Sequence, residues 1–368
     1  MTGTAAARDM DVIRLEADAA FAHVAEVLGV TREQKVVFTM LSRLLGHGGF
    51  ASGEISLSYL DRNPAVTELF SVFAHEGTHI LDRKIATVRP TVMVEGLAVY
   101  VAGGHFKTEP LEARAAAVLA LDRYIPLADL ANGFYPAQHE IGYLEAGAFI
   151  QFLVARDGWD QFKGMYASFQ LAPSDAAMLD AGLQAHYGLS LAEMEAEWLA
   201  YLGKQPVDAA QVDDLRLTVG LFDTLRRYQQ LKDPAAYFLS AWLPDGPEAR
   251  RRNIVGDFVR HPRTPDNIAL EAMLDAAGMD LHAGAYAPAQ TLLDAVNAAL
   301  DADDLAAAPL AADYLQVVNQ LLSEGYEVQN LRLEGETALV SAIRTWPTLE
   351  ALRLVRATGE WRVEGVAD

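Results

Sequence analysis

Hydrophobic and polar positions alternate with two different periods in the first part of the chain. Residues 11–29 follow a helical period and end at Gly29, a residue type common just after helix C-termini. The apolar positions that we assign to one side of this helix are Val12, Leu15, Ala19, Phe21, Val24 and Leu28. Residues 35–44 and 53–60 are strand-like, and 53–60 shows the clearer two-residue alternation. A helix followed by two strands is therefore predicted.

A second helical run follows the dipeptide Asn63-Pro64. This pair is a typical helix start, because Asn caps the first turn and Pro fits the first helical position. Apolar residues then recur at roughly helical spacing until the chain approaches the next proline, Pro90. The pattern predicts one helix over about 64–86.

Three more helices are predicted between this run and residue 160. Thr91 can cap the first, which ends near Gly103. The second covers about 109–123 within a region otherwise rich in loops, and the third begins at Tyr143. The buried stripe of the third helix is predicted to contain Ala146, Phe149, Ile150 and Leu153.

The pattern changes twice in the second half of the chain. Gly203–Pro206 interrupts the helical periodicity, and 210–300 is again mostly helical. Within it, Asn267–Leu300 is similar to a single tetratricopeptide-type pair of helices, and one copy makes no array. A helix over 310–322 precedes strand-like segments at 326–333, 337–345, 348–356 and 360–366.

These changes predict an α+β protein with three parts. The first part is 1–204, the second is a helical accessory region over 205–302, and the third is a small α+β domain over 303–368. The third part resembles the end of nuclear-transport-factor-2-like domains, a likeness from which we infer no activity. We expect residues 1–204 to fold without the remainder.

Composition removes several classes of function. The chain has 368 residues, of which 51% are hydrophobic, and no apolar run is long enough for a transmembrane segment. Its formal net charge of −21 argues against binding to nucleic acids or anionic membranes. The absence of cysteine excludes disulfides and thiolate ligands. No basic segment followed by an apolar stretch opens the chain, so we expect a cytoplasmic protein by default, or an exported one if a leader was trimmed.

The most informative motif is His75-Glu76-Gly77-Thr78-His79, an HExxH pattern inside the helix predicted over 64–86. Residues four apart lie on the same face of a helix, so His75 and His79 can direct two imidazoles at one metal ion. Glu76 lies beside them and can take a proton from a water at that metal. An accidental HExxH is expected on the order of once per hundred chains of this composition.

A third ligand is needed to complete such a site. The longer pattern HExxHxxGxxH fails, because Asp82 and Ile85 occupy its glycine and histidine positions. Glu95 lies in the early turns of the next predicted helix, and an antiparallel return would bring its carboxylate to the two histidines. Two histidines and one glutamate leave a fourth position on zinc for water.

HEGTH followed by VEGLAVY resembles the gluzincin metallopeptidases, specifically the small bacterial peptidase MA-like domains. The resemblance covers about residues 10–203 and includes the segment that begins at Tyr143. It implies a mostly helical gluzincin domain with a small N-terminal sheet, in which His75, His79 and Glu95 bind Zn²⁺ and Glu76 is the general base. The strand over 53–60 would form the edge of the cleft and pair with extended substrate. Val92 and Val94 depart from the Trp and Asn common before the family's glutamate.

Further candidates have weaker signals. Tyr143 is a candidate donor to the oxyanion formed in amide hydrolysis, since relatives use a Tyr or a His for this role, and His139 is its competitor. Asp82 is either a partner of a ligand histidine or a surface carboxylate. The histidines without a spacing signal are assigned structural roles: His23, His47, His105, His186, His261 and His282.

We predict zinc-dependent hydrolysis of a peptide or protein substrate, with Glu76 activating the water. Two alternatives remain open. One is a non-catalytic module that binds peptides or proteins and retains the fold. The other is a metal-dependent hydrolase of a different small amide.

Overall fold

The structure is a computed structural model that describes Ala7 and residues 9–32, 35–41, 49–51, 54–58, 69–237, 262–345 and 348–366. The architecture is α+β, as expected from the sequence. A mainly helical part with a three-stranded sheet is followed by further helices and a four-stranded sheet. No helix among the described residues is long and apolar enough to cross a membrane.

The N-terminal part begins with a helix that packs beside a small sheet. Helix α1 is Met10–Leu28, and the strands are β1 Phe38–Leu41, β2 Gly49–Ala51 and β3 Ile55–Ser58. The strand order is β1-β3-β2, with β3 parallel to β1 and antiparallel to β2.

The prediction that 53–60 forms the cleft's edge is therefore wrong. The strand within that segment is β3, which lies at the centre of the sheet and pairs on both sides. Strand β3 lies between β1 and β2, so that β2 lies at an edge of the described sheet. Strand order depends on this long-range pairing, which alternation along the chain does not encode.

Eight helices among the described residues follow the first sheet and carry the chain to the middle of the sequence. Their bounds are α2 Leu69–Leu81, α3 Thr91–Ala102, α4 Leu111–Ala120, α5 Leu127–Asn132, α6 His139–Asp157, α7 Trp159–Ser168, α8 Asp175–Tyr187 and α9 Leu191–Leu202. The helix start expected at Asn63 and Pro64 lies outside the described residues.

Helices α3 and α6 approach each other unusually closely, because each carries a glycine at the contact. A Cβ atom on Gly96 would lie 2.5 Å from the carbonyl oxygen of Ala146. A Cβ atom on Gly147 would lie 2.5 Å from Cγ1 of Val99. Real side chains do not fit such gaps, so the two glycines allow the backbones to pack directly. This packing sets the position of α3, which carries Glu95.

Two expectations about helix ends need correction. The helix predicted to begin at Tyr143 begins at His139, because the Gln138 side chain accepts the N–H of Ile141 and caps it. Thr91 does not cap α3 with its side chain. Its N–H donates to Asp175 Oδ2 at 2.8 Å, so a carboxylate from α8 stabilises this helix end.

The buried side of α1 also differs from the predicted stripe. Val12 and Leu15 are 56% and 65% exposed, and burial begins instead at Ile13 and continues through Ala17. Phe21, Val24 and Leu28 are buried as expected. The buried face differs from the predicted one because packing against α2 selects it. Part of this face consists of alanines, whose low hydropathy makes the buried stripe hard to recognise in the sequence.

Helix α10, Ala209–Lys232, joins the two halves of the molecule. Its residues Leu215 and Val219 belong to the N-terminal core, whereas Leu217, Leu221 and Phe222 belong to the second core. A separate domain over 1–204 stays a prediction. A chain cut at that point would lose the two α10 side chains that complete its own core.

The second half ends in the predicted helix-plus-meander arrangement. Its elements are α11 Pro265–His282, α12 Tyr286–Ala302, α13 Pro309–Ser323, β4 Glu327–Glu334, β5 Thr337–Thr345, β6 Thr348–Ala357 and β7 Glu360–Val366. The strands pair in sequence order and are all antiparallel. Gly335 and Gly359 have φ angles of +62° and +86°, which explains why glycine stands at two of the turns.

Candidate metal centre

Helices α2 and α3 bring the three predicted ligands together. Nε2 of His75 lies 3.6 Å and Nε2 of His79 lies 3.4 Å from Oε2 of Glu95. One ligand atom from each residue lies within 4.8 Å of the other two, and no other such group of three occurs in the described ranges. The helical spacing of the motif places the imidazoles as expected, with ring centroids 4.9 Å apart.

These distances fit a small tetrahedral ion. Zinc binds nitrogen and carboxylate oxygen at about 2.0–2.2 Å, so two ligand atoms at a tetrahedral angle lie roughly 3.3–3.6 Å apart. The two histidine-to-glutamate distances of 3.6 and 3.4 Å match this edge length. Neutral imidazoles and one carboxylate are also the donor types that zinc prefers.

Glu76 lies beside the three ligands and is 5% exposed. Its Oε2 atom is buried and has no hydrogen-bond partner among the described residues. A buried carboxylate oxygen without a donor is costly, so this oxygen is the natural acceptor for a water at the site. Burial raises the pKa of Glu76 to about 7.

The first residue of strand β2 lies close to the aliphatic part of the Glu76 side chain. A Cβ atom on Gly49 would lie 3.3 Å from Cγ of Glu76, 2.6 Å from a Leu57 methyl carbon and 2.8 Å from the Ser56 carbonyl oxygen. A side chain at this position would push the strand away. The glycine therefore lets the edge strand lie directly against the residue expected to act as the base.

The protonation states of His75, His79 and Glu95 depend on one another, because a single buried carboxylate interacts with both imidazoles. Burial lowers the pKa of His75 to about 4. Burial also opposes a charged His79, but the negative charges of Glu95 and its neighbours outweigh it and raise the pKa of His79 to about 9. Burial would raise the pKa of Glu95, but His79 and the hydrogen bonds of both histidines hold it well below its usual range. Without a metal, a proton on His79 balances the Glu95 charge.

Tyr135 completes the surroundings of Glu95, and no sequence signal identified it. Its hydroxyl donates to Oε1 of Glu95 at 2.8 Å. Burial, and then the charge of Glu95, raise the pKa of this phenol well above its usual range, so it stays a donor. Tyr135 is separated from Glu95 by 40 positions and lies in the turn between α5 and α6. Only the folded chain brings the two side chains together.

Tyr143, the predicted oxyanion donor, lies close to the candidate ligands. Its ring centroid is 6.2 Å from that of His75. The ring of His139, the predicted competitor, lies 4.9 Å from that of Tyr143 and 4.6 Å from that of Phe222. Burial raises the pKa of Tyr143 well above its usual range, so its hydroxyl keeps its proton.

His105 also packs against Tyr143, although its spacing in the sequence gave no reason to place it near the candidate metal centre. Its ring stacks on Tyr143 at 4.2 Å with an angle of 13° between the planes. Nδ1 of His105 lies 2.7 Å from Oε2 of Glu140, which is 1% exposed. Of the other histidines, His47 and His261 lie outside the described residues.

Asp82 is neither a surface carboxylate nor a direct partner of a ligand histidine. It is fully buried, and its Oδ2 atom accepts the hydroxyl of Tyr166 at 2.6 Å. Oδ1 faces the guanidinium of Arg89 in an ion pair. The residue therefore ties the 3-10 turn after α2 to α7, and it acts on His79 only through its charge.

Comparisons with models of protein families, with curated proteins and with solved structures gave no match.

Proposed function

We propose that this chain is a zinc-dependent peptidase of the gluzincin type. The observation that carries the proposal is the convergence of His75, His79 and Glu95 beside the unpartnered carboxylate oxygen of Glu76. A structural zinc site would fill its fourth position with another protein ligand. Among the residues that the structure describes, a base and two phenols surround the three candidate ligands instead of a fourth metal-binding side chain.

Bound zinc would supply a Lewis acid that polarises the scissile carbonyl and acidifies water. Glu76 is the residue that accepts the proton of the attacking water and returns it to the leaving amine. In the metal-free chain, burial raises the pKa of Glu76 to about 7, which makes this carboxylate a stronger base than an exposed glutamate.

The developing oxyanion needs a donor from the protein. Tyr143 is the predicted donor, and His139 and His105, whose rings pack against it, are the alternatives. Because the Tyr135 hydroxyl already donates to Glu95, we assign it no role in proton transfer.

The proposed substrate is a peptide in an extended conformation. Among the described strands, β2 lies at an edge of its sheet and close to Glu76, so a peptide paired with β2 would pass the base. Backbone hydrogen bonds to an edge strand recognise peptides independently of most side chains. This geometry favours a peptide over a small amide, which has no backbone to pair.

The testing experiment compares wild type with Glu76→Gln and with a matched control, Glu112→Gln. Glu112 lies on α4, outside the candidate metal centre, and accepts a hydrogen bond from the hydroxyl of Tyr201. Each protein is assayed for zinc content and for cleavage of a broad peptide library by mass spectrometry, with and without chelator. Glu76→Gln is expected to keep its zinc and to lose at least about a hundredfold in kcat.

The outcomes separate the alternatives. Equal cleavage by wild type and Glu76→Gln would refute the assigned mechanism. A wild-type protein that binds zinc and peptides but cleaves none of the library would favour the non-catalytic binding module. Chelator-sensitive hydrolysis of small amides without peptide cleavage would favour a metal-dependent hydrolase of small amides.

A further inference from the structure

The two carboxylate oxygens of Glu95 have different surroundings. Oε2 faces Nε2 of both histidines, at 3.6 Å from His75 and 3.4 Å from His79. Oε1 accepts the hydroxyl of Tyr135 at 2.8 Å. One oxygen is thus directed to the metal position, and the other is held by a donor from a different part of the fold.

This division has a consequence for coordination. The last torsion of a glutamate side chain is broad, so an unrestrained carboxylate rotates easily. Rotation would let both oxygens approach the ion, which would fill a position needed by water or substrate. A donor on Oε1 opposes that rotation and keeps a single oxygen toward the ion.

The turn that carries Tyr135 is itself held by helix α10. Nη1 of Arg226 donates to the carbonyl oxygen of Ala137 at 2.7 Å. The Gln138 side chain donates to Oδ1 of Asp223 at 3.2 Å. A continuous series of contacts therefore leads from the C-terminal half of the chain, through this turn, to Glu95.

We propose that Tyr135 is a positioning residue that holds Glu95 as a one-oxygen ligand, and that Arg226 holds the turn that carries Tyr135. The inference rests on the metal binding of the proposed function, and it adds that metal affinity depends on α10. Residues that orient metal ligands typically contribute 10–100-fold to affinity.

The test measures Zn²⁺ affinity of the full chain by competition with a chromophoric chelator. Tyr135→Phe removes only the hydroxyl and is expected to weaken zinc binding by about 10–100-fold. The matched control is Tyr201→Phe, which removes a tyrosine-to-glutamate hydrogen bond of 3.1 Å away from the metal centre and should leave affinity unchanged. Arg226→Gln should weaken binding in the same direction by a smaller factor.

A second measurement distinguishes ligand orientation from loss of structure. The visible absorption of bound Co²⁺ is intense in four-coordinate sites and weaker when the coordination number rises. Tyr135→Phe is expected to show the weaker spectrum, while its circular dichroism and thermal unfolding without metal match those of Tyr201→Phe.

The proposal would be overturned by equal zinc affinity and equal Co²⁺ spectra in wild type and Tyr135→Phe. Loss of peptidase activity with unchanged affinity would also overturn it, and would assign the hydroxyl to the reacting carbonyl. A wild-type chain that binds no zinc would refute both this inference and the proposed function.

Discussion

Zinc binding to this chain should release one proton, because His79 is protonated when no metal is present. The pKa of His79 is raised to about 9, mainly by the charge of Glu95 overcoming the effect of burial. The pKa of His75 is lowered to about 4, so this second imidazole is already neutral at ordinary pH. A zinc ion must displace the His79 proton before it can use that nitrogen.

The magnitude follows from the linkage between protons and metal. One proton released per zinc makes the apparent affinity rise tenfold per pH unit, which equals about 1.4 kcal/mol. Between pH 5.5 and 7.0 the expected gain is about 30-fold, or about 2 kcal/mol. This window lies above the pKa of His75 and below that of His79, so each imidazole keeps one state in the metal-free chain.

The assay is competition with a chelator of known pH dependence, carried out on the Glu76→Gln chain. This background removes Glu76, whose own pKa of about 7 would otherwise add to the slope. Glu95→Gln on the same background removes the charge that raises the pKa of His79, so it should bind zinc more weakly and with a flatter dependence. An apparent affinity independent of pH would refute the protonated His79, and a hundredfold rise per unit would show a second bound proton.

Two further predictions concern Tyr143 and Glu145, both on α6. Tyr143→Phe should lower kcat by roughly 100-fold or more with zinc content unchanged if the hydroxyl donates in the transition state. Steady-state kinetics on a cleaved peptide tests this, and activity within a few-fold of wild type would pass the role to His139 or His105. Glu145 is 1% exposed, and burial raises its pKa well above the usual range, so the folded chain holds a proton that the unfolded chain loses above about pH 4.5. Unfolding free energy should therefore fall with rising pH by up to about 1.4 kcal/mol per unit, and urea titrations with chelator present should lose this slope in Glu145→Gln; parallel curves would show an ionised Glu145.

Local patterns in the sequence were enough to predict that the three candidate ligands lie together. A spacing of four places His75 and His79 on one helix face whatever surrounds the helix, since the α-helical period is a property of the backbone. Glu95 followed from a second short motif, and the structure brings its Oε2 atom within 3.6 Å of both imidazoles. The C-terminal meander was equally predictable, because alternating strands and glycine turns describe it without long-range information.

Tertiary structure alone decided what surrounds these ligands. In the order β1-β3-β2, the described strand β2 lies beside Glu76. The need for glycine at position 49 arises only from this packing. Tyr135 reaches Glu95 from a turn that α10 holds, and His105 reaches Tyr143 from the loop after α3. A single hydroxyl or ring has no periodicity, so its partner is determined by the packing of whole helices. The sequence determined which residues are candidates for metal binding, whereas the packing determined which oxygen of Glu95 faces the two imidazoles.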